Sequence, residues 1–102
     1  MPGLPEGEIA KALGELPAWE RSGDAIVRTV RFAEFMDGIR FVSRVAELAE
    51  AADHHPDIDI RYRNVTFSLT THDQGGLTHK DFDMARRINE EMERQQGKGG
   101  QA

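Results

Sequence analysis

The sequence contains no cysteine among its 102 residues, which excludes disulfide bonds and thiolate-based metal sites. This absence fits a reducing compartment. No apolar run approaches the ~20 residues needed to span a bilayer, and the first residues lack the basic and apolar regions of a signal peptide. We therefore expect a soluble cytoplasmic protein that has no membrane partner.

Basic residues are also scarce: 13 lysines and arginines stand against 18 acidic residues, a formal net charge of −5. Because phosphate backbones favour a basic surface, nucleic acid is not expected as a direct partner. The length and the ordinary composition predict one globular domain over residues 1–94. Residues 95–102 are rich in glycine and glutamine, which predicts a disordered tail.

Three segments carry apolar residues at helical spacing. The first runs from Glu6 to Glu15. The longest runs from Glu34 to Asp53, with apolar residues three or four positions apart, and Pro56 prevents it from continuing. The third begins at Thr78, a residue type favoured as an N-cap, and ends near Arg94. Each helix has one apolar stripe and therefore one face to bury.

Four short segments between these helices are typical of strands. They come as two adjacent pairs, which favours antiparallel hairpins and an α+β architecture of order α-β-β-α-β-β-α. We expect the helices to cover one face of the sheet. Arg28 interrupts the apolar alternation of the second strand. The four predicted strands are Trp19–Arg21, Ala25–Phe32, Ile58–Tyr62 and Val65–Thr71.

The chain has only four histidines, and three of them fall in two short stretches, Asp53 to Pro56 and Thr70 to Asp73. Imidazole gains and loses a proton near neutral pH, so histidines around one pocket suit general acid–base catalysis. Neighbouring carboxylates can orient such rings. The candidate carboxylates are Glu50, Asp53, Asp73 and Asp81.

The same residues also permit other interpretations. A histidine pair before a proline is typical of a helix end, where imidazole interacts well with the helix dipole. A metal site made from His54, His55 and His72 is a less favoured alternative, because adjacent histidines rarely converge on one ion. His79 is expected on the surface, and Trp19 is expected in the core or at an interface.

The spacing of these residues resembles the signature of the pterin-4a-carbinolamine dehydratase family. The resemblance covers roughly Leu13 to Ile88, nearly the whole domain. Several fixed residue types at fixed intervals are far more specific than a histidine pair alone. The matching positions are Glu50, His54-His55-Pro56, Tyr62, Val65, Leu69, Thr71-His72, Gly76-Leu77-Thr78 and Asp81.

The resemblance implies a four-stranded antiparallel sheet with helices packed on one face. It also implies a reaction, in which a 4a-hydroxytetrahydropterin loses water and becomes a quinonoid dihydropterin. This step recycles tetrahydrobiopterin for aromatic amino acid hydroxylases. The reaction consists of proton transfers, so the resemblance implies no metal and no redox cofactor; the pterin is the substrate.

Carried over residue by residue, the resemblance makes His54 and His72 an acid–base pair whose individual roles stay open. His55 would mainly hold the pterin, and Glu50 and Asp81 would orient the histidines. One departure is Ile58, where many family members have an aromatic residue. The implied pterin contacts are Asp53, His54 and His55 on one side and Thr70, Thr71, His72 and Asp73 on the other.

The resemblance also implies partners. Family members form dimers through sheet edges, and some form tetramers through helices, so a homodimer or tetramer is expected here. Animal members also act as dimerisation partners of a homeodomain transcription factor, which makes a coactivator module the alternative function. A further alternative is a different pterin substrate, for example in molybdopterin metabolism.

Overall fold

The predicted order of helices and strands is confirmed in a computed structural model, which describes residues 3–99 and the side chains of residues 3–95. A short 3-10 helix at His72–Gln74 is added to this order. The elements are α1 (Glu6–Gly14), β1 (Glu20–Ser22), β2 (Ala25–Arg31), α2 (Phe35–Ala52), β3 (Asp57–Arg61), β4 (Asn64–Leu69) and α3 (His79–Gly99).

The four strands form one antiparallel sheet in the order β1-β2-β4-β3. Strands β2 and β4 make its centre and pair from Ile26 opposite Leu69 to Arg31 opposite Asn64. The edges are β1, which has three residues, and β3, which has five. The α+β class with a four-stranded antiparallel sheet is therefore confirmed.

The core lies between the sheet and the helices, because alternate strand residues point to opposite faces. Phe41 on α2 is fully buried and touches Phe32 and Phe67, with ring centroids 5.5 and 5.6 Å away. Truncating such a buried ring typically costs about 3–5 kcal/mol. The opposite face is polar, and there Thr29 and Thr66 hydrogen-bond through their hydroxyls at 2.8 Å.

Arg28 shares the parity of the buried residues Ile26 and Val30 and points toward the helices. Its guanidinium donates to Asn89 Oδ1 on α3 at 2.5 Å, and the indole of the buried Trp19 donates to the same oxygen at 2.8 Å. Burial lowers the pKa of Arg28. The side chains of β2 therefore alternate between the two faces without a break. Arg28 is accommodated on the helix side because Asn89 accepts a hydrogen bond from its guanidinium.

The end of α2 positions the histidine pair. Asp53 takes a left-handed conformation with φ 52° and ψ 43°, and its N–H returns to Ala49 and Glu50 carbonyls. The His54 N–H also bonds the Ala49 carbonyl at 3.1 Å. This pattern is a Schellman-type helix end. Pro56 then directs the chain into β3, so the two imidazoles lie at the corner between helix and sheet.

Most predicted element ends lie within one residue of the observed ones, and three differences bear on the site or on the tail. The β3–β4 turn is Tyr62-Arg63 rather than Arg63-Asn64, because Asn64 pairs with Arg61; Tyr62 is left-handed with φ 53°. Strand β4 stops at Leu69, and Thr71 forms only an isolated bridge with Gly76.

The third difference is at α3, which continues past Arg94 to Gly99. Its glutamines are good helix formers, so the helix persists after its apolar stripe ends. The predicted disordered tail, residues 95–102, therefore begins inside this helix, and residues 100–102 lie outside the described part of the chain. No helix among the described residues is long and apolar enough to cross a membrane.

Candidate active site

The centre of the candidate site is a hydrogen bond between His54 and Asp81. His54 Nε2 lies 2.6 Å from Asp81 Oδ1. The Asp81 side chain is 0% exposed, and that of His54 is 11% exposed. The two residues are 27 positions apart in the chain. They meet because α2 ends where α3 begins, at the same corner of the sheet.

Asp81 is held by a network that uses both of its carboxylate oxygens. Its Oδ2 accepts the Thr78 backbone N–H at 2.9 Å and the Thr71 hydroxyl at 2.8 Å. Thr78 Oγ1 lies 2.8 Å from Thr71 Oγ1. Since the single proton of the Thr71 hydroxyl goes to Asp81, Thr78 donates in that pair. A buried carboxylate with three such partners is fixed in position.

This network determines how the His54 ring can act. An ionised carboxylate only accepts hydrogen bonds, so Asp81 requires His54 to carry its proton on Nε2. In the neutral ring, Nδ1 then keeps the lone pair and can accept a proton. The carboxylate also stabilises the imidazolium that forms when the proton arrives, as in a His–Asp pair of a hydrolase. The geometry therefore suits a general base at His54.

His55 forms a second histidine–carboxylate pair in a different environment. Its Nε2 lies 2.5 Å from Glu50 Oε2, one helical turn back on α2. The side chains of His55 and Glu50 are 54% and 78% exposed. Of the four candidate carboxylates, the two that the resemblance assigns to orienting histidines thus each contact one, Asp81 at His54 and Glu50 at His55.

His72 is exposed on the 3-10 helix that follows β4. It lines a cleft of about 260 Å³ together with Thr70, Gly76 and the β1–β2 turn. His72 directly follows Thr71, which bonds Asp81. His54 lines a separate, smaller cleft of about 140 Å³ with Lys80 and Arg87. The two histidines that were predicted as an acid–base pair therefore line different clefts, and the Asp81 network connects His54 to Thr71, the neighbour of His72.

The remaining predicted contact residues take different positions. Thr71 is buried with its hydroxyl on Asp81, and it lines neither the His72 cleft nor the His54 cleft. Asp53 and Asp73 are exposed, at the end of α2 and in the 3-10 helix. Ile58, at the position where many family members have an aromatic, packs against the core from β3.

Sequence reasoning missed two parts of the site. Thr78 was predicted as a helix cap, and the structure adds its link to Thr71. Asp24 and Ala25 line the His72 cleft although they lie far from it in the chain; the Ser22-Gly23-Asp24 turn and the resemblance, which extends through Asp24-Ala25-Ile26, marked them without placing them in the site. Among the described side chains, no group of three His, Cys, Asp or Glu is placed to hold a metal ion.

Comparisons with known proteins agree with this fold. The family model described as "Pterin 4 alpha carbinolamine dehydratase" matches residues 2–91. A relative from Mycobacterium sp. (strain KMS) is 56% identical over 89% of this chain and 97% of its own. One from Chloroflexus aurantiacus (strain ATCC 29366 / DSM 635 / J-10-fl) is 58% identical over 90% and 99%. Both are named "Putative pterin-4-alpha-carbinolamine dehydratase".

A solved structure is similar as well. The crystal structure of a "transcriptional coactivator/pterin dehydratase" from Brucella Melitensis superposes with a TM-score of 0.84 and 35% identity, over 87% of this chain and 97% of that one. Fold and site thus define an α+β protein with paired histidines beside a buried carboxylate. The chain belongs to the pterin 4 alpha carbinolamine dehydratase family.

Proposed function

We propose that this protein dehydrates 4a-hydroxytetrahydrobiopterin to quinonoid dihydropterin and so supports tetrahydrobiopterin recycling. The observation that carries the proposal is the His54–Asp81 pair at 2.6 Å, in which Asp81 also accepts a hydrogen bond from Thr71, the residue before His72. The family and the names of the relatives support the same reaction class.

The reaction needs two proton transfers on the bound pterin. The C4a–O bond breaks while the leaving hydroxyl is protonated and departs as water. The N5–H proton is removed, and its electron pair forms the C4a=N5 double bond. Atoms and charge balance without a redox cofactor or a metal, which is why acid–base residues alone can carry this chemistry.

The surroundings of the histidines favour one division of roles. His54 takes the N5 proton, because Asp81 keeps Nε2 protonated and leaves Nδ1 free to accept. His72, exposed on its own cleft, protonates the leaving hydroxyl, so the proposal requires the bound pterin to reach both the His54 cleft and the His72 cleft. His55 holds the pterin from the rim, where Glu50 orients its ring. Asp53, Thr70 and Asp73 complete the proposed contact set, with Thr71 acting through Asp81.

Stopped-flow dehydration of a 4a-hydroxytetrahydropterin tests this proposal. We expect His54→Ala and His72→Ala each to lower the catalysed rate by about 10²- to 10⁴-fold, because each removes one proton-transfer group. The uncatalysed rate is subtracted in every trace. His79→Ala, which alters a histidine on the first turn of α3 that the proposal leaves unused, serves as the matched control. Full activity in both cleft variants would refute the mechanism.

We propose further that the protein is a homodimer paired through β3, the long free edge of the sheet. Arg61 and Asn64 close a two-residue hairpin, so the backbone groups of Ile58 and Ile60 point away from β4. An antiparallel pairing centred on Ile60 sets Asp59 opposite Arg61 of a second copy, twice. The edge is thus complementary to itself in charge and in backbone hydrogen-bonding groups.

A charge swap tests the dimer. Light scattering should give about twice the 11.4 kDa chain mass for the unaltered protein. Arg61→Glu places like charges opposite each other and should shift the equilibrium toward monomer. Asp59→Lys combined with Arg61→Glu restores opposite charges and should restore the dimer. A monomer at micromolar concentration in the unaltered protein would overturn this assembly.

A second candidate function is a coactivator module, which one surface favours. Tyr62 is 70% exposed and stacks on the exposed Phe35 with ring centroids 6.4 Å apart. Met36 and Ile60 extend this apolar surface beside the β3 edge. The Brucella structure carries "transcriptional coactivator" in its description. Capture of a regulator that Tyr62→Ser abolishes, together with no turnover, would favour this function.

A further inference from the structure

Asp24 lies in the β1–β2 turn, which the structure holds at two consecutive carbonyls. Arg21 Nε donates to the Gly23 carbonyl at 2.9 Å, and the Thr70 hydroxyl donates to the Asp24 carbonyl at 2.5 Å. Gly23 has φ 60°, a conformation that glycine adopts without strain. Exposed turns are usually among the more mobile parts of a protein, and these bonds fix this one.

The contacts that hold the β1–β2 turn extend to α1. The Arg21 guanidinium binds the Glu6 carboxylate with both terminal nitrogens, at 2.5 and 3.0 Å. That bidentate contact leaves Nε free for the Gly23 carbonyl. Thr70 reaches the turn from the end of β4, two residues before His72. The turn is therefore held in register with the strand end that leads to His72.

Asp24 faces the same cleft as His72. The residues lining this cleft of about 260 Å³ are Asp24, Ala25, Thr70, His72, Gly75 and Gly76. Asp24 is the one carboxylate among them. Among the described residues, its side chain takes part in no hydrogen bond or ion pair within the protein. Its acceptor oxygens are thus available to a ligand.

The chemistry of a pterin matches this group. The pyrimidine half presents N3–H and the 2-amino group side by side, two parallel donors at the spacing of a carboxylate's two oxygens. This edge lies across the ring system from N5 and C4a. Resting on the proposed function, we propose that Asp24 binds the 2-amino and N3–H edge of the pterin and sets the specificity of the site for a 2-aminopteridine.

Fluorescence titration with two probes tests this role. Pterin carries the 2-amino group, whereas lumazine carries an oxygen there and turns a donor into an acceptor. The unaltered protein should bind pterin about ten- to a hundredfold more tightly than lumazine. Lumazine cannot form the charge-assisted hydrogen bond from a 2-amino group to Asp24, and its oxygen there repels the carboxylate. In Asp24→Asn the ratio should fall to about threefold or less, since an amide can donate to the lumazine oxygen.

Glu20→Gln is the matched control, because it removes the same charge from neighbouring β1 outside the cleft; it should keep the ratio of the unaltered protein. In turnover, Asp24→Asn should raise KM about tenfold or more and leave kcat within about threefold.

The outcomes separate this inference from the proposed function. If the unaltered protein binds pterin and dehydrates its carbinolamine while Asp24→Asn keeps both the probe ratio and KM, the role of Asp24 is overturned and the proposed function stands. If the unaltered protein neither binds pterin nor accelerates the dehydration, the proposed function fails and this inference fails with it. A ratio reduced equally by Glu20→Gln would show a general charge effect and would also overturn the specific contact.

Discussion

Two neighbouring histidines of this protein make the same kind of contact in opposite environments. His54 bonds Asp81 at 2.6 Å, and His55 bonds Glu50 at 2.5 Å. The distances hardly differ. Asp81 is 0% exposed and is held by Thr71 and Thr78 as well, whereas Glu50 is 78% exposed and holds a ring that is itself half in solvent.

The comparison shows that two factors decide what a histidine–carboxylate pair can do: its burial, and whether the carboxylate has further hydrogen-bond partners such as Thr71 and Thr78. In water, an exposed pair gains little, because solvent competes for both groups and both side chains lose freedom. In the buried pair, each partner that is removed leaves another polar group without a hydrogen bond. We therefore expect His54–Asp81 to bear on both stability and catalysis, and His55–Glu50 to bear mainly on the ligand.

The largest expected effect is on stability. Asp81→Ala should lower the free energy of unfolding by about 3–5 kcal/mol, because it leaves the Thr71 hydroxyl, the Thr78 N–H and His54 without their common acceptor. Glu50→Ala should lower it by less than about 1 kcal/mol. Urea unfolding at one fixed protein concentration measures both. Equal losses in the two variants would contradict the contrast between buried and exposed pairs.

The next effect separates the two histidines in catalysis. His54→Gln should lower kcat by about a hundredfold or more, because glutamine can replace the hydrogen bond to Asp81 but cannot transfer a proton. His55→Gln should instead raise KM severalfold and keep kcat within about threefold, as expected of a residue that holds substrate. Steady-state dehydration with both variants decides this. A kcat loss of similar size in His55→Gln would place His55 in the proton transfer as well.

The smallest effect concerns a third pair, Glu6–Arg21, which is exposed like His55–Glu50 but bidentate. The Arg21 hydrogen bond and charge lower the pKa of Glu6. Its contribution to stability is therefore present above the pKa of the unfolded chain and is lost as pH falls through the lower folded value. Glu6→Gln should lower stability slightly at pH 7, where the pair contributes, and leave it unchanged at acid pH, where Glu6 is already neutral, so the acid limb of stability below about pH 5 becomes flatter. An unchanged acid limb in thermal melts would show that this pair contributes nothing measurable.

Much of the fold could be predicted from the chain alone. The apolar spacing of Glu34 to Asp53 marked α2 within one residue at each end, because a helix with one buried face repeats its apolar positions. The alternation of Val65, Phe67 and Leu69 marked β4 for the same kind of reason. The alternation of β2 was harder to interpret, because Arg28 interrupts it and its partner Asn89 is 61 positions away in the chain.

The candidate site was predictable in its residue types but not in its arrangement. The intervals of the signature indicated His54, His55, His72, Glu50 and Asp81 together. They could not indicate that Asp81 is fully buried or that Thr71 turns inward to it. Nor could they bring Asp24 to the His72 cleft, because the β1–β2 turn reaches it only through the pairing of β2 with β4.

By itself the sequence determined which side chains are available, where α2 must end and that an acid–base site was to be expected at that end. Local rules suffice for these points, since helix spacing and the restriction before Pro56 act over a few residues. Tertiary structure alone decided which histidine is buried with a carboxylate and which stays in solvent. That choice depends on α3 meeting the end of α2 at the sheet corner, a contact between residues 27 positions apart that no local pattern encodes.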